Sequence, residues 1–341
     1  MRGLLLALAL IGPTMWSGPV LAQDFAKGVE AYKRGDYTTA LLIWRPLADE
    51  GNADAQYNLG LMNSNGIGVP QDYSEAEKWY RLAAEQGLAT SQFNLGFMYH
   101  RGAGVPQDYS EAEKWYRLAA EQGKAYAQSN LGFMYFQGEG VPQDYSEAAR
   151  WFRLAAEQGN TDAQSNLGFM YFQGEGVPQD YAEAARWSGL AAEQGDAKAQ
   201  INLGFMYQMG NGVPQDYSEA ARWFRLAAEQ GNAKAQFNLG QLYRRGEGVP
   251  QDFAFVVELY RLAAEQGMTE AQFNLGIAYL NGEGLVRDSI YAHMWLNIAA
   301  SLGLEIASVA REEVAEQMTQ GQIAEAQRLA RECVAKNYKG C

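Results

Sequence analysis

The sequence predicts an all-α fold, a right-handed α-solenoid of helix-turn-helix repeats with a cap at each end. A Leu-Gly pair returns every 36 residues with no insertion or deletion. A fixed period of this length is typical of solenoids, in which each repeat packs only on its neighbours. The pairs are Leu59-Gly60, Leu95-Gly96, Leu131-Gly132, Leu167-Gly168, Leu203-Gly204, Leu239-Gly240 and Leu275-Gly276. They define seven repeats, which together cover residues 53–304.

The first half of each repeat is predicted to be a helix, which covers residues 53–64 in repeat 1. Ala55, Leu59 and Met62 follow the spacing of one helical face. Gly60 lies inside this helix, where glycine costs about 1 kcal/mol relative to alanine. Because a glycine returns at this position in every repeat, we expect another backbone to approach it closely.

The second half of each repeat is predicted to be a turn followed by a second helix. In repeat 1, two glycines and Pro70 end the first helix. Asp72, followed three residues later by Glu75, is typical of a capping box at a helix start. Gly87 is typical of a helix end. Trp79 supplies a large apolar anchor beside small alanines, which predicts a packed core and not a cofactor site.

These features together resemble the Sel-one-like repeat, a relative of the tetratricopeptide repeat. The shared pattern is A-x-x-x-L-G-x-x-Y, then G-x-G-V, D-Y-x-x-A, W and A-A-x-x-G, and it is clearest in residues 127–159 and 163–195. The resemblance implies a tetratricopeptide-like solenoid that serves as an adaptor or scaffold for a protein or peptide partner. Bacterial exported members of the family suggest roles in envelope assembly, polysaccharide secretion or restraint of a sensor kinase.

Residues 1–22 are predicted to be a signal peptide. Arg2 provides a positive start, an apolar run follows at 4–11, and small residues surround a cleavage site after Ala22. The alternative is an uncleaved membrane anchor, which the short apolar run disfavours. We therefore expect export to the periplasm, or alternatively secretion, with a mature chain that starts near Gln23 and does not insert into the membrane.

The two flanks of the repeat array are predicted to be caps. Residues 23–52 read as a shortened repeat, an N-terminal capping helix pair, and residues 305–341 as C-terminal capping helices. Thr319 with Gln322 is a second capping-box candidate. Cys333 and Cys341 are the only cysteines, and in an exported protein such a pair predicts a disulfide that closes the tail. Two free thiols are the alternative.

Composition excludes several classes of function. The formal charge is 27 − 40 = −13, so the chain lacks the basic surface that nucleic-acid binding requires. The usual soft-ligand metal sites need three or four histidines and cysteines at set spacings, which His100, His293, Cys333 and Cys341 do not have. We therefore expect no nucleic acid, no metal and no cofactor.

The acidic residues predict structural roles and no enzyme activity. The positions of Asp72 and Glu85 recur through the repeats, whereas an acid and base pair needs two different environments. No serine stands in a Ser-x-x-Lys motif. The predicted function is therefore a non-catalytic protein-protein interaction scaffold of the cell envelope, which binds a partner peptide or domain on its concave face. The alternatives are an envelope hydrolase of the penicillin-binding or β-lactamase-like kind, or a secreted factor that binds a host protein.

The outward face of the first helices is the predicted partner-binding site, because first helices usually line the concave side of such a solenoid. Exposed aromatic strips mark interaction sites, and basic residues at the helix ends suit an acidic or extended peptide. The predicted binding residues are Phe93, Phe97, His100, Arg101, Phe133, Phe136, Phe169, Phe172, Phe205, Met209, Phe237, Arg244 and Arg245. The alternative is that the phenylalanines pack between neighbouring first helices and build the wall of the solenoid.

An asparagine stands at the position of Asn58 in every repeat, at the edge of the same face. We expect these amides to form a buried ladder that bonds to the neighbouring backbone, because buried polar groups are nearly always paired. A clamp on the backbone of a bound peptide is the alternative.

Overall fold

A computed structural model describes the backbone of residues 19–341, and side chains from residue 24 onwards. Residues 1–18 of the predicted signal peptide lie outside the described residues, and 19–22 form the start of the first helix. The described part of the chain contains eighteen helices and no strand. The predicted all-α class is confirmed.

Fourteen of these helices form seven pairs between residues 53 and 304. The first helices of the pairs are α3 (Ala53–Asn65), α5 (Ala89–Arg101), α7 (Ala125–Gln137), α9 (Thr161–Gln173), α11 (Ala197–Met209), α13 (Ala233–Arg245) and α15 (Thr269–Asn281). The second helices are α4 (Tyr73–Glu85), α6 (Tyr109–Glu121), α8 (Tyr145–Glu157), α10 (Tyr181–Glu193), α12 (Tyr217–Glu229), α14 (Phe253–Ala264) and α16 (Ser289–Ser301). The flanking helices are α1 (Pro19–Lys33), α2 (Tyr37–Asp49), α17 (Glu305–Ala315) and α18 (Gln320–Ala335).

Helices pack on their neighbours in the chain. The chain divides into two compact units, one that ends at residue 163 and includes 175–177, and one made of 164–174 and 178–341. In the first unit each helix from α1 to α8 packs on the next. In the second unit the helices from α10 to α17 do the same, and α18 returns to pack on α16. This neighbour-only packing is that of a solenoid of helix-turn-helix repeats.

The predicted turn chemistry is confirmed, with one correction. Gly66 ends α3 in the left-handed conformation, with φ of 67°. The Asp72 carboxylate accepts a hydrogen bond from the Glu75 backbone N–H at 3.0 Å and so caps α4. The predicted capping box is only half present, because the Glu75 side chain pairs with Lys78 at 3.1 Å and the Asp72 N–H donates to the Asn63 carbonyl. The reciprocal box predicted for Thr319 and Gln322 is present.

In five of the seven repeats the glycine inside the first helix contacts an aromatic ring, whereas Gly276 contacts Leu296. The close approach of another backbone that we expected is found at Gly168, where an added Cβ would lie 2.9 Å from the Ser188 nitrogen. A Cβ added to Gly60 would lie 2.6 Å from the ring of Tyr80, and one added to Gly132 would lie 2.9 Å from the ring of Phe152. Both rings come from the second helix of the same repeat, twenty residues later. Because glycine has no side chain, the ring fits against the first helix at this position.

The core of each repeat also buries one large side chain of the second helix. These residues follow the predicted position, and all are buried: Trp79, Trp115, Trp151, Trp187, Trp223, Leu259 and Trp295. Small alanines of the preceding second helix cluster with them, as Ala112 and Ala119 do with Trp151, so large side chains pack against small ones.

Glutamines, and not the predicted asparagines, form the buried amide ladder. The Gln128 amide donates to the Ala120 carbonyl at 3.0 Å, and its oxygen accepts from the Gln158 amide at 2.7 Å. The buried members of this glutamine ladder are Gln56, Gln92, Gln128, Gln164, Gln200, Gln236 and Gln272. By contrast, the amides of Asn130, Asn238 and Asn274 donate to carbonyls of their own helices. The asparagine prediction is therefore wrong for these residues.

The C-terminal tail folds back on the repeat array. The Cys333 and Cys341 sulfurs lie at disulfide distance. The Gly340 N–H donates to the Glu265 carboxylate at 3.2 Å, and the Tyr338 ring lies beside Gly267. These contacts join the tail to the end of repeat 6.

Candidate partner-binding site

Three phenylalanines on the first helices present much of their side chains to solvent. Phe97, Phe133 and Phe169 stand one repeat apart in sequence and are 39 %, 39 % and 38 % exposed. Leu131, two residues before Phe133, is fully buried. These rings are therefore not sealed between helices, although each is partly supported by its surroundings.

Phe205, the next residue in this series, is half-buried. Its ring packs edge-on against Phe224 at 5.2 Å between centroids. The Lys234 ammonium lies 5.1 Å from the centre of the Phe205 ring, within cation–π range. We call Phe97, Phe133, Phe169 and Phe205 the phenylalanine row.

The other four predicted phenylalanines are half-buried against rings of their own repeat. The ring centroid of Phe93 lies 5.8 Å from that of Tyr116, which belongs to the second helix of the same repeat. Aromatic pairs at such separations stabilise a fold beyond the area that they bury. The remaining pairs, with centroid distances between 5.2 and 5.6 Å, are Phe136 with Tyr145, Phe172 with Tyr181, and Phe237 with Tyr260. These four phenylalanines pack beneath the outward face of the first helices, and only part of each ring is accessible to a partner.

Two of the predicted basic residues pair with a carboxylate of the next repeat. The His100 Nε2 atom lies 3.0 Å from the Glu139 carboxylate, and the Arg244 guanidinium lies 3.4 Å from that of Glu283. In both cases the acid follows the base by 39 residues, so it belongs to the turn of the next repeat. Each pair links two repeats, which reduces the positive charge available to an acidic peptide.

The other predicted polar and flexible residues are more accessible. Arg101 is exposed and lies 5.7 Å from the Phe97 ring centre, and Arg245 is exposed 3.7 Å from Glu247. Met209 is among the exposed large apolar side chains. The predicted site residues are thus divided between exposed members and half-buried supporting ones.

Two apolar pockets open on the first helices. One, of about 220 Å³ in the first compact unit, is lined by Tyr80, Phe93 and Phe97 among others. The other, of about 360 Å³ in the second compact unit, is lined by Phe169 and Phe205 among others. Both combine apolar walls with a few polar groups, as binding pockets commonly do.

The second helices present a row of exposed leucines that the sequence analysis did not single out. The members of this leucine row are 37–44 % exposed: Leu82, Leu118, Leu154, Leu190, Leu226 and Leu262. Their regular spacing, one per repeat and three residues after each tryptophan position, could have identified them. The leucines of each compact unit are exposed apolar side chains with which the phenylalanines of the same unit must be compared.

The recurring aspartates of the described residues have structural roles. The recurring aspartates cap helices, as Asp216 does by accepting from the Ser218 and Glu219 N–H groups. Burial raises the pKa of Tyr260 to about 12, an effect that Arg244 opposes, so this hydroxyl stays neutral near pH 7. Within residues 19–341 no group of three or more His, Cys, Asp or Glu side chains could hold a metal ion.

Over the same part of the chain, no helix has the length and apolar character needed to cross a membrane.

Comparison with known proteins agrees with this architecture. The chain is similar to a Sel1 repeat protein of Oxalobacter formigenes at 35 % identity, with a TM-score of 0.63 over 70 % of this chain and 96 % of that one. It is also similar to a protective antigen of uropathogenic Escherichia coli with an SLR fold, at 30 % identity and a TM-score of 0.56 over 93 % of both chains.

A shorter similarity extends to two mammalian proteins. DAP3-binding cell death enhancer 1 of Rattus norvegicus and that of Mus musculus are each 47 % identical to this chain over 49 residues. The match spans 14 % of this chain and about a tenth of the length of these curated relatives.

The Sel1 repeat model matches all seven helix pairs, at 53–88, 89–124, 125–160, 161–196, 197–232, 233–268 and 269–304. These boundaries enclose one first helix and one second helix each. The chain is therefore a member of the Sel1 repeat family.

Proposed function

We propose that this protein is a non-catalytic scaffold of the bacterial cell envelope that binds a partner peptide or domain through the phenylalanine row. Sel1 repeat proteins are generally protein-protein interaction scaffolds, and the family is generally non-catalytic. The observation that carries the proposal is the exposure of Phe97, Phe133 and Phe169, each close to 40 %. An apolar surface of this kind in a folded protein favours a binding role.

The chemistry of the two apolar rows favours the phenylalanines over the leucines. Phenylalanine is enriched in protein interfaces, whereas leucine is under-represented in their energetic hot spots. The phenylalanine row also lies near exposed Arg101 and Lys234, which can add polar contacts at its edge. The leucine row therefore serves as a matched control surface of similar exposure.

Crosslinking in the native envelope, followed by capture of the full chain, tests the proposal. We expect Phe133→Ala/Phe169→Ala to recover its partner at least about tenfold less than the wild type, because loss of two hot-spot rings removes several kcal/mol of binding. The control Leu118→Ala/Leu154→Ala should recover the same partner as the wild type. Equal recovery by both variants, or a loss confined to the leucine variant, would contradict the proposal.

Two observations support an exported location. Residues 1–22 have the pattern of a signal peptide, and the disulfide-distance cysteine pair suits an oxidising compartment. We therefore propose a periplasmic location. The similarity to a protective antigen over 93 % of both chains favours a secreted or surface-exposed factor as the second candidate. Cell fractionation separates the two, because only the first predicts that the mature chain stays in the periplasmic fraction.

A further inference from the structure

Repeat 4 lacks the ring that its neighbours place beneath the first-helix glycine. Five of the equivalent residues in the other repeats are aromatic and the last is leucine: Tyr80, Tyr116, Phe152, Phe224, Tyr260 and Leu296. Repeat 4 has Ser188 there, which is 1 % exposed, followed by Gly189. A Cβ added to Gly189 would meet nothing within 4 Å. A small buried side chain thus stands where a ring lies in five of the other six repeats.

The pocket of about 360 Å³ in the second compact unit lies at this position. Ser188 and Gly168, both buried, are among the residues that line it, together with the apolar Phe172, Phe205 and Met209. An apolar cavity of about 150 Å³ is enough to hold benzene. The space therefore accommodates one phenyl or phenol ring with room for its backbone.

The polar lining of this pocket is cationic and carries no carboxylate. Lys234 is exposed at the pocket, with its ammonium 5.1 Å from the centre of the Phe205 ring. The neutral amides of Gln173 and Asn202 are the other polar side chains beside Ser188. The electrostatics therefore favour an occupant with a negative charge next to its apolar part.

We propose that this repeat-4 pocket receives a phenylalanine or tyrosine side chain of the partner, with an adjacent acidic residue paired to Lys234. The partner's ring replaces the ring that the chain itself supplies in the neighbouring repeats. This inference rests on the proposed function, because it names the part of the scaffold that selects the partner sequence.

Fluorine NMR of the full chain with a defined probe tests the proposal. The probe is acetyl-Gly-(4-fluorophenylalanine)-Asp-Gly-amide, and its comparison is the same peptide with Lys in place of Asp. We expect the wild type to bind the acidic probe about fivefold or more tighter than the basic one, because a close charge pair at a surface is worth about 1 kcal/mol. Lys234→Glu should reverse this preference.

Ser188→Phe fills the pocket with the ring found in repeats 3 and 5. We expect it to weaken binding of the acidic probe at least about tenfold while it keeps the helical circular-dichroism signal of the wild type, which shows that the variant is folded. Ser188→Ala is the matched control, because it keeps the pocket open and should bind within about twofold of the wild type.

Unchanged binding by Ser188→Phe, or no binding of the acidic probe by the wild type, would overturn the pocket proposal. Neither result bears on the scaffold function, which partner capture with the Phe133→Ala/Phe169→Ala variant decides separately. If capture depends on the phenylalanine row but Ser188→Phe captures normally, the scaffold proposal stands and the pocket proposal falls.

Discussion

A glycine and a ring, twenty residues apart, set the distance between the two helices of a repeat. Gly132 stands so close to Phe152 that an added Cβ would lie within 3.1 Å of three ring atoms. Such contacts are closer than carbon atoms tolerate, so the helices would have to separate or the ring would have to move. The helix-propensity cost of glycine is thus offset by packing.

Gly132→Ala should therefore destabilise the protein by about 1–3 kcal/mol, as overpacked cores do. Gly189→Ala is its control, since the same change in α10 meets no atom within 4 Å. That change should stabilise by about 0.5–1 kcal/mol through helix propensity. Denaturant midpoints of the two variants measure the difference, and a shift of the same sign in both would contradict this reading.

His293 makes the stability of the C-terminal repeat depend on pH. It is 3 % exposed and its Nδ1 atom has no hydrogen-bond partner, and burial, helped by Arg311, lowers its pKa below the ordinary 6.5. Because the unfolded state then binds the proton more readily, stability falls as the pH drops through 6.5. We expect His293→Gln to lose less stability than the wild type between pH 7 and 5, by about 2 °C of melting temperature. Parallel losses in both proteins would count against this assignment.

Among the secondary-structure elements, adjacent repeats are joined by the glutamine ladder. The Gln128 amide bonds the Ala120 carbonyl at the end of repeat 2 and receives the Gln158 amide at the end of repeat 3. Gln128 thus joins the second helices of two successive repeats. Buried groups of this kind are costly to leave unpaired.

Gln128→Leu should cost about 1–2 kcal/mol, because the Ala120 carbonyl loses one bond and keeps that from the Gly123 N–H. Asn130→Ala, whose amide bonds only its own helix, should cost less than about 0.5 kcal/mol. Equilibrium unfolding of both variants tests the ladder. A larger loss from the asparagine variant would restore the role that the sequence suggested for the asparagines.

The positions of the helices could largely be predicted from the repeat. The contacts between the helices could not. The first helix was expected at 53–64 and ends one residue later, at Asn65. Its end could be predicted closely because Gly66, which follows it, terminates the helix locally. The Gly60–Tyr80 contact joins two helices, so local periodicity carries no sign of it. Gln56 returns in every repeat as Asn58 does, but periodicity alone does not show which amide reaches a neighbour.

The tail is a separate element whose position depends on the cysteine pair. Reduction, or Cys333→Ser/Cys341→Ser, should lower stability by about 2–3 kcal/mol, the range for a short closed loop. It should also release the Gly340 contact with Glu265. Thiol labelling under non-reducing conditions measures the pairing directly. Rapid labelling of both cysteines in the native protein would contradict it.

At the scale of the whole molecule, the residues that pack the helices recur from repeat to repeat, whereas residues on the first-helix face vary. The glycine–ring contacts, the buried tryptophans and the glutamine ladder recur with little change, which holds each helix pair in one geometry. The variation lies at residues such as Ser188, Met209 and Lys234, around the first-helix face. The exposure of the phenylalanine row could not be read from the sequence, because a ring between neighbouring helices and a ring in solvent have the same spacing.

Site-resolved photocrosslinking tests the central claim, that the first-helix face holds the partner. A photoreactive phenylalanine analogue is placed at Phe133 in one variant and at Leu154, exposed to nearly the same extent, in another. We predict that irradiation of cells links the partner to position 133 and not to position 154. A partner linked through position 154 alone, or the absence of any adduct at 133, would contradict the account.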